Sequence, residues 1–216
     1  MKAEIIPTIL VKTFDEFEAQ IRAVDPYVKT IQIDIADGKF VPNTTFGDPD
    51  ALKKVRPKSK IEVHLMTVEP VEQVDQWKKA GADRIIFHYE TCRDLSELTR
   101  TIRTIKKAGL AVGLAVNPKT SIESLHYIID NIDEVLFLGV EPGFGGQKFQ
   151  KSVLKKIKKL RSWDKKIDIG VDGGIKPKEA KLAYQAGANL INSGSYIHRS
   201  KNVKEAIGRL KQAVGK

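Results

Sequence analysis

The stretch from residue 84 to residue 116 reads RIIFHYETCRDLSELTRTIRTIKKAGLAVGLAV and contains a complete strand–helix–strand unit. Its two ends, residues 84–89 and 111–116, are short apolar runs of the kind that form strands buried on both faces of a parallel sheet. Between them, residues 95–108 carry apolar side chains at helical spacing, and Gly109 follows at the position where glycine commonly ends a helix. The stretch therefore predicts one repeat of an α/β fold.

The same alternation extends over the whole chain. The predicted strands are residues 4–9, 30–35, 61–66, 84–89, 111–116, 134–139, 168–171 and 190–192. The predicted helices are residues 13–24, 50–55, 70–80, 95–108, 122–129, 150–161, 178–186 and 203–214. These eight pairs, with no linker between them, predict a single domain over residues 1–216. An open doubly wound sheet is the competing architecture, but the regular units favour a closed (β/α)8 TIM barrel with a parallel eight-stranded core.

The composition is that of a globular domain with a sizeable core. The chain has 216 residues, of which 41% are hydrophobic and 30% are charged. Its formal net charge is +10, a value also found in nucleic-acid-binding proteins. The densest basic run, residues 151–161, carries apolar side chains at helical spacing, so it predicts an amphipathic helix with a solvated lysine face. We therefore expect no nucleic-acid partner, although the charge can attract an anionic small molecule.

Features typical of secreted and membrane proteins are missing from the sequence. Cys92 is the only cysteine, which excludes an internal disulfide. No run of about eighteen apolar residues indicates a membrane helix, and residues 1–9 lack the long apolar core of a secretion signal. We therefore expect a cytoplasmic protein with no membrane partner.

Polar side chains stand near the ends of four predicted strands. Thr8 lies at the end of the first strand, Asp34 and His64 lie near the ends of the second and third, and Asp172 directly follows the seventh. Gln32 shares a side of its strand with Asp34, because side chains alternate along a strand. A closed barrel brings the carboxyl ends of its strands to one mouth. Two carboxylates and a histidine at that mouth predict a site for a divalent metal.

Each of these residues taken alone also has a structural interpretation. A carboxylate at a strand end often caps the next helix, and a lone histidine is more often a hydrogen-bonded structural residue. We expect such a structural role for His88, or a role in supporting a site residue from behind. Asp37-Gly38 has the composition of a turn.

Glycine-rich loops follow the last three predicted strands. They place small residues where backbone N–H groups can surround a phosphate, and this barrel commonly binds phosphate after strands 7 and 8. The candidate phosphate-binding residues are Gly143, Gly145, Gly146, Gly173, Gly174, Gly194 and Ser195. Turns alone could explain one such loop, but three in succession favour a phosphorylated substrate.

The chain resembles the ribulose-phosphate 3-epimerase family over nearly its whole length. The matching stretches are PTIL at residues 7–10, IDIADGKFVPN at 33–43, VHLM at 63–66, PGFGGQKF at 142–149 and VDGGI at 171–175. Of these, the PGFGGQKF block is highly specific to the family. Their order and spacing agree with the family throughout.

This resemblance implies a chemistry and a set of site residues. A divalent metal (Zn, Fe, Mn, Co or Mg) would be held by Asp34, His64 and Asp172. The two aspartates would act as acid and base, inverting C3 of D-ribulose 5-phosphate through a metal-stabilised enediolate and giving D-xylulose 5-phosphate. Thr8, Met66 and the glycine loops would contact the sugar phosphate. The resemblance also implies a place in the pentose phosphate pathway and allows a homo-oligomer.

The chain departs from the family pattern at four places, one of which, Thr8 in place of a serine, keeps the hydroxyl group. The first metal histidine of the family falls on Gln32, whose amide oxygen is a weaker ligand. The family methionine next to the reacting carbon falls on Ala36, and the stretch before PGFGG reads LGVE at residues 138–141. Three functions therefore stay open: a pentulose-phosphate epimerase with a weakened metal site, a 3-epimerase of a hexulose 6-phosphate that uses the space at Ala36, and a non-catalytic sugar-phosphate binder.

Overall fold

The computed structural model describes residues 2–215, and within them eight parallel strands close into a barrel. The strands are β1 Glu4–Ile9, β2 Thr30–Ala36, β3 Lys60–Met66, β4 Arg84–His88, β5 Ala111–Val116, β6 Glu134–Leu138, β7 Asp168–Asp172 and β8 Leu190–Ser193. Each strand pairs with the next one along the chain, and β8 closes the barrel against β1. The predicted (β/α)8 TIM barrel is confirmed, and every predicted strand is present to within one residue at either end.

Helices cover the outside of this barrel. They are α1 Phe14–Val24, α2 Pro49–Val55, α3 Val74–Ala80, α4 Leu95–Lys107, α5 Val153–Trp163, α6 Pro177–Ala186, α7 Ser195–His198 and α8 Val203–Val214. Thr13 precedes α1 as its N-cap, with the hydroxyl accepting a hydrogen bond from the backbone N–H of Glu16. None of the helices in residues 2–215 combines the length and hydropathy that a bilayer crossing requires.

The connection between β5 and β6 differs from the prediction. The α-helix expected over residues 122–129 is wrong, because the structure has two short 3-10 helices there, Glu123–Tyr127 and Ile129–Asn131. The buried side chains of Ile122, Leu125 and Ile128 recur every three residues. That period matches the tighter 3-10 helix, which aligns every third side chain on one face.

The interior of the barrel is layered along its axis. At the amino-terminal end of the strands, Arg84 forms ion pairs with Glu62 and Glu134. A small apolar layer that contains Ile86 and Leu136 lies within the barrel. Asp34 and His64 stand side by side in the register of β2 and β3, closer to the carboxyl ends. This arrangement places the candidate site residues at the open end of a packed barrel.

A stability prediction arises from Gly208 in α8. Within the described residues, a Cβ added at this position would meet no atom within 4 Å. Since glycine is a poor helix former, Gly208→Ala is expected to raise the free energy of unfolding by about 0.5–1 kcal/mol in urea titrations. Gly187→Ala is the matched control, because Gly187 has a φ of 117° and its Cβ would lie 2.8 Å from Arg161. The control should lower stability, and a loss of stability in Gly208→Ala would contradict the prediction.

Candidate active site

A cavity of about 350 Å³ opens at the carboxyl ends of the strands. Its lining includes all the predicted substrate-contacting residues together with three of the predicted metal ligands. They are Thr8, Met66, Gly143, Gly145, Gly146, Gly173, Gly174, Gly194, Ser195, Asp34, His64 and Asp172. The strand-end side chains and the three glycine loops therefore share one cavity.

The two aspartates are linked beneath the cavity by the Gln32 side chain. Gln32 Nε2 donates hydrogen bonds to Asp34 Oδ1 and to Asp172 Oδ2, both at 2.8 Å. Its own Oε1 accepts a hydrogen bond from Asn192 Nδ2 at 2.7 Å. Only a nitrogen can donate to two carboxylates at once, so these contacts orient the amide. Gln32 engages one oxygen of each carboxylate, and the second oxygen of each can face a sugar.

Electrostatics at this end of the barrel favour a positive charge or a shared proton. Burial raises the pKa of Asp172 to about 7, and the negative charge of Asp34 adds to the increase, while His64 opposes it. Two buried carboxylates repel each other when both are ionised. A cation between them, or a proton on one of them, relieves this repulsion.

Asp34, His64 and Asp172 form a donor set that fits a divalent metal. One ligand atom from each of the three lies within 4.8 Å of the others, and all three residues are buried. Two carboxylate oxygens and one imidazole nitrogen suit Zn, Mn, Fe or Co ions. Gln32 turns its nitrogen toward this set, so ligation through its oxygen would require the amide to turn over.

The glycine loops have backbone conformations that exclude larger residues. Gly173 has a φ of 100°, and a Cβ there would lie 2.5 Å from Val140. Gly174 has a φ of 69°, and its Cβ would lie 2.7 Å from the backbone nitrogen of Phe149. Both positions combine a left-handed backbone with a close backbone or side-chain neighbour, and this combination requires glycine.

Comparison with known proteins identifies the family. The model of the ribulose-phosphate 3 epimerase family matches residues 4–198. The chain belongs to this family. Ribulose-phosphate 3-epimerase of Bacillus subtilis is 38% identical, over 96% of this chain and 98% of its own length. The enzyme of the same name from Synechocystis is 39% identical, over 97% of this chain and 93% of its own length.

The fold of this epimerase-family chain recurs in more distant proteins. The crystal structure of 3-keto-L-gulonate-6-phosphate decarboxylase from Vibrio cholerae superposes with a TM-score of 0.75 at 13% identity. The match covers 100% of this chain and 98% of the decarboxylase. At such low identity the likeness shows the common barrel alone.

The position where the epimerase family has methionine, Ala36, lies behind the cavity wall. Ala36 packs with Val41 and Met66 in a buried apolar cluster, against which Leu10 and Phe40 are placed. Within residues 2–215, Ala36 is not part of the cavity lining, whereas Met66 is. The smaller side chain therefore does not enlarge the described cavity directly.

Sequence reasoning missed several residues of the site. Asn192 is fully buried, and its Nδ2 donates both to Gln32 Oε1 and to Glu62 Oε1, the second at 3.1 Å. The signal for it was a lone amide in an apolar strand, which alternation places on the barrel interior. Arg199 also lines the cavity, and its guanidinium lies close to Gly146, so that a Cβ there would be 3.3 Å from Arg199. The glycine loops predicted a phosphate site from the sequence, but they did not indicate that the positive charge of Arg199 also lines the cavity.

Proposed function

We propose that this protein is a ribulose-phosphate 3-epimerase that interconverts D-ribulose 5-phosphate and D-xylulose 5-phosphate. One observation carries the proposal: Asp34 from β2 and Asp172 from β7 project into a single cavity whose rim is formed by three glycine loops. A sugar phosphate held at the glycine loops would extend toward the two carboxylates. The relatives that share 38–39% identity bear the same name, and the pentose phosphate pathway is the role we propose.

The two aspartates supply the proton transfers that inversion requires. One carboxylate removes the C3 proton on its side of the sugar, and the enediolate then receives a proton from the other aspartate on the opposite side. Burial raises the pKa of Asp172 above its usual value, toward the working pH at which a group exchanges protons efficiently. A divalent metal held by Asp34, His64 and Asp172 would supply positive charge beside the oxygens on which negative charge develops.

The phosphate group fixes the sugar relative to the aspartates. Gly174, Gly194, Ser195 and Arg199 all line the cavity, and their backbone N–H, hydroxyl and guanidinium groups are the donors that would bind a phosphate. Charge-assisted hydrogen bonds to phosphate are strong, so they hold the substrate while the carboxylates act on C3. Fixed positioning of this kind is a large part of catalysis by proton transfer.

A pentulose phosphate is favoured over a longer hexulose phosphate. The space that a hexulose would need was expected at Ala36, and Ala36 lies in the buried cluster behind the wall. A non-catalytic binder is also less favoured. Two carboxylates close together in a pocket for an anionic ligand weaken binding, and they serve a purpose only in proton transfer or metal binding.

The decisive experiment follows the C3 hydrogen of ribulose 5-phosphate in deuterated water, with metal analysis of the same protein sample. We expect deuterium at C3 together with formation of xylulose 5-phosphate, and a divalent metal in the protein. Deuterium exchange seen only with a hexulose 6-phosphate would show that ribulose 5-phosphate is not the substrate and that the hexulose phosphate is. Sugar-phosphate binding without any exchange would contradict an enzymatic function.

Gln32→His is expected to tighten divalent-metal binding on the order of tenfold, because an imidazole lone pair replaces an N–H that points at the site. The measurement is a titration of Zn²⁺ into chelator-treated protein. Gln32→Leu is the matched control, since it removes the amide bridge without adding a ligand. Equal metal affinity and turnover in wild type and Gln32→His would show that Gln32 does not occupy a weakened ligand position.

A further inference from the structure

A chain of hydrogen bonds runs from the candidate metal site away from the cavity. His64 Nδ1 lies 2.9 Å from Asp34 Oδ1, and His64 Nε2 lies 2.9 Å from His88 Nε2. His88 Nδ1 in turn lies 3.2 Å from Glu90 Oε2. Both imidazoles are buried, with 1% and 0% of the side chain exposed. Each ring is thus held between two partners.

The outer end of this chain has a fixed hydrogen-bond polarity. Glu90 Oε1 accepts the backbone N–H of Asn117 at 2.8 Å and the hydroxyl of Thr120 at 2.5 Å. Partial burial opposes ionisation, but hydrogen bonds from His88, Thr120 and Asn117 lower the pKa of Glu90 below its usual value. Glu90 is therefore a carboxylate, which can only accept hydrogen bonds. The proton between Glu90 and His88 must lie on His88 Nδ1.

The proton position on His88 determines which nitrogen of His64 donates a hydrogen bond. His88 is fully buried and packs against the ring of Phe40, an environment that disfavours a charged imidazole, so the ring carries a single proton. With that proton on Nδ1, His88 Nε2 is an acceptor, and His64 Nε2 must donate to it. A neutral His64 then has its lone pair on Nδ1, so that Nδ1 and Asp34 Oδ1, 2.9 Å apart, are two acceptors that require a cation or a proton between them.

We propose that Glu90 and His88 are positioning residues that set the tautomer of His64, so that its Nδ1 lone pair is directed at a divalent metal held with Asp34 and Asp172. The inference rests on the metal site of the proposed function. A histidine binds a metal only through a deprotonated nitrogen, and the hydrogen bond made by the other nitrogen decides which one that is. Here the carboxylate that decides is that of Glu90, which does not contact His64 itself but acts on it through His88.

Glu90→Gln tests this relay because it reverses the direction of every hydrogen bond in it. The backbone N–H of Asn117 cannot turn over, so the amide oxygen of the new side chain must stay toward Asn117 and Thr120. The amide NH2 then faces His88 Nδ1 and requires an acceptor there. His88 would carry its proton on Nε2, His64 Nε2 would become the acceptor, and His64 Nδ1 would carry a proton toward Asp34 in place of a lone pair.

Two measurements read this reversal. Histidine nitrogen NMR of metal-free protein at pH 7 should show the His88 proton on Nδ1 in the wild type and on Nε2 in Glu90→Gln. Loss of negative charge alone would leave that proton on Nδ1, so the spectrum separates the relay from simple electrostatics.

Titration of Zn²⁺ should give binding roughly 10–100-fold weaker in Glu90→Gln. Thr120→Val is the matched control, since it removes one hydrogen bond to Glu90 without reversing any other, and its Zn²⁺ affinity should stay within about threefold of wild type.

The outcomes distinguish this inference from the proposed function. Wild-type His88 with its proton on Nε2, or unchanged Zn²⁺ affinity in Glu90→Gln, would overturn the relay even in an active epimerase. The expected spectra and Zn²⁺ affinities in a protein that epimerises no sugar phosphate would support the relay and contradict the proposed function. Thermal unfolding of both variants shows that the comparison is made on folded protein.

Discussion

Asp172→Asn is expected to lower kcat/KM for epimerisation by about 10³-fold, and Asp34→Asn by a similar factor, because each removes one of the two groups that we propose to transfer the C3 proton. Both aspartates line the cavity, and both are engaged by Gln32 from below. Asparagine keeps the size of each side chain but cannot take up a proton. Binding of the sugar phosphate, measured by calorimetry, should change only a few-fold, since the proposed phosphate-binding residues lie elsewhere in the cavity lining.

The pattern of hydrogen exchange makes this prediction specific. The two epimers expose their C3 hydrogen to opposite sides, and the proposed mechanism places one aspartate on each side. A variant that retains one aspartate should exchange the C3 hydrogen of one epimer with deuterated water without inverting it, and should leave the other epimer unlabelled. The two variants should label different epimers, and each serves as the control for the other because both lose one metal ligand. Labelling of the same epimer by both variants would contradict a mechanism with opposed aspartates.

Much of the site could be predicted because strand alternation and barrel topology are encoded locally. Asp34, His64 and Asp172 end short apolar runs, and the closed barrel brings the ends of those runs together. The orientation of Gln32 could not be predicted. It depends on contacts with Asp172 and Asn192, which lie 140 and 160 residues away in sequence. No local pattern shows which end of an amide faces a carboxylate.

The same limit applies to buried polar side chains on the barrel interior. Asn192 and Glu62 stand in otherwise apolar strands, and only the closed barrel reveals that they contact each other. The two 3-10 helices after β5 are a different case. The three-residue spacing of Ile122, Leu125 and Ile128 was visible in the sequence, but it is compatible with one face of an α-helix as well as with a 3-10 helix.

Arg84→Met is expected to lower the free energy of unfolding by about 3–5 kcal/mol at pH 7, the range found when one partner of a buried ion pair is removed. Arg84 Nη1 lies 2.6 Å from Glu134 Oε2 and 3.2 Å from Glu62 Oε2, and the side chains of these two glutamates are 0% and 1% exposed. Without the guanidinium, two carboxylates inside the barrel would face each other uncompensated. Glu62 also accepts a hydrogen bond from Asn192, which holds Gln32 beneath the aspartates, so the loss would extend toward the site.

The pH dependence of the stability loss in Arg84→Met tests whether buried, uncompensated charge causes that loss. Burial and mutual repulsion raise the pKa of Glu62, burial raises that of Glu134, and Arg84 opposes both increases. A carboxyl group whose pKa is higher in the folded state than in the unfolded state costs stability once pH exceeds its unfolded value, and removing Arg84 enlarges that cost. The difference in the free energy of unfolding between wild type and Arg84→Met should therefore shrink as pH falls toward and below about 4.3, where the unfolded glutamates are protonated.

Two further variants serve as controls. Arg84→Lys keeps the positive charge, and Arg84→Met combined with Glu134→Gln should recover part of the lost free energy of unfolding. Urea unfolding at several pH values measures all four proteins, and a difference that does not change with pH would mean that Arg84 stabilises the barrel by packing alone.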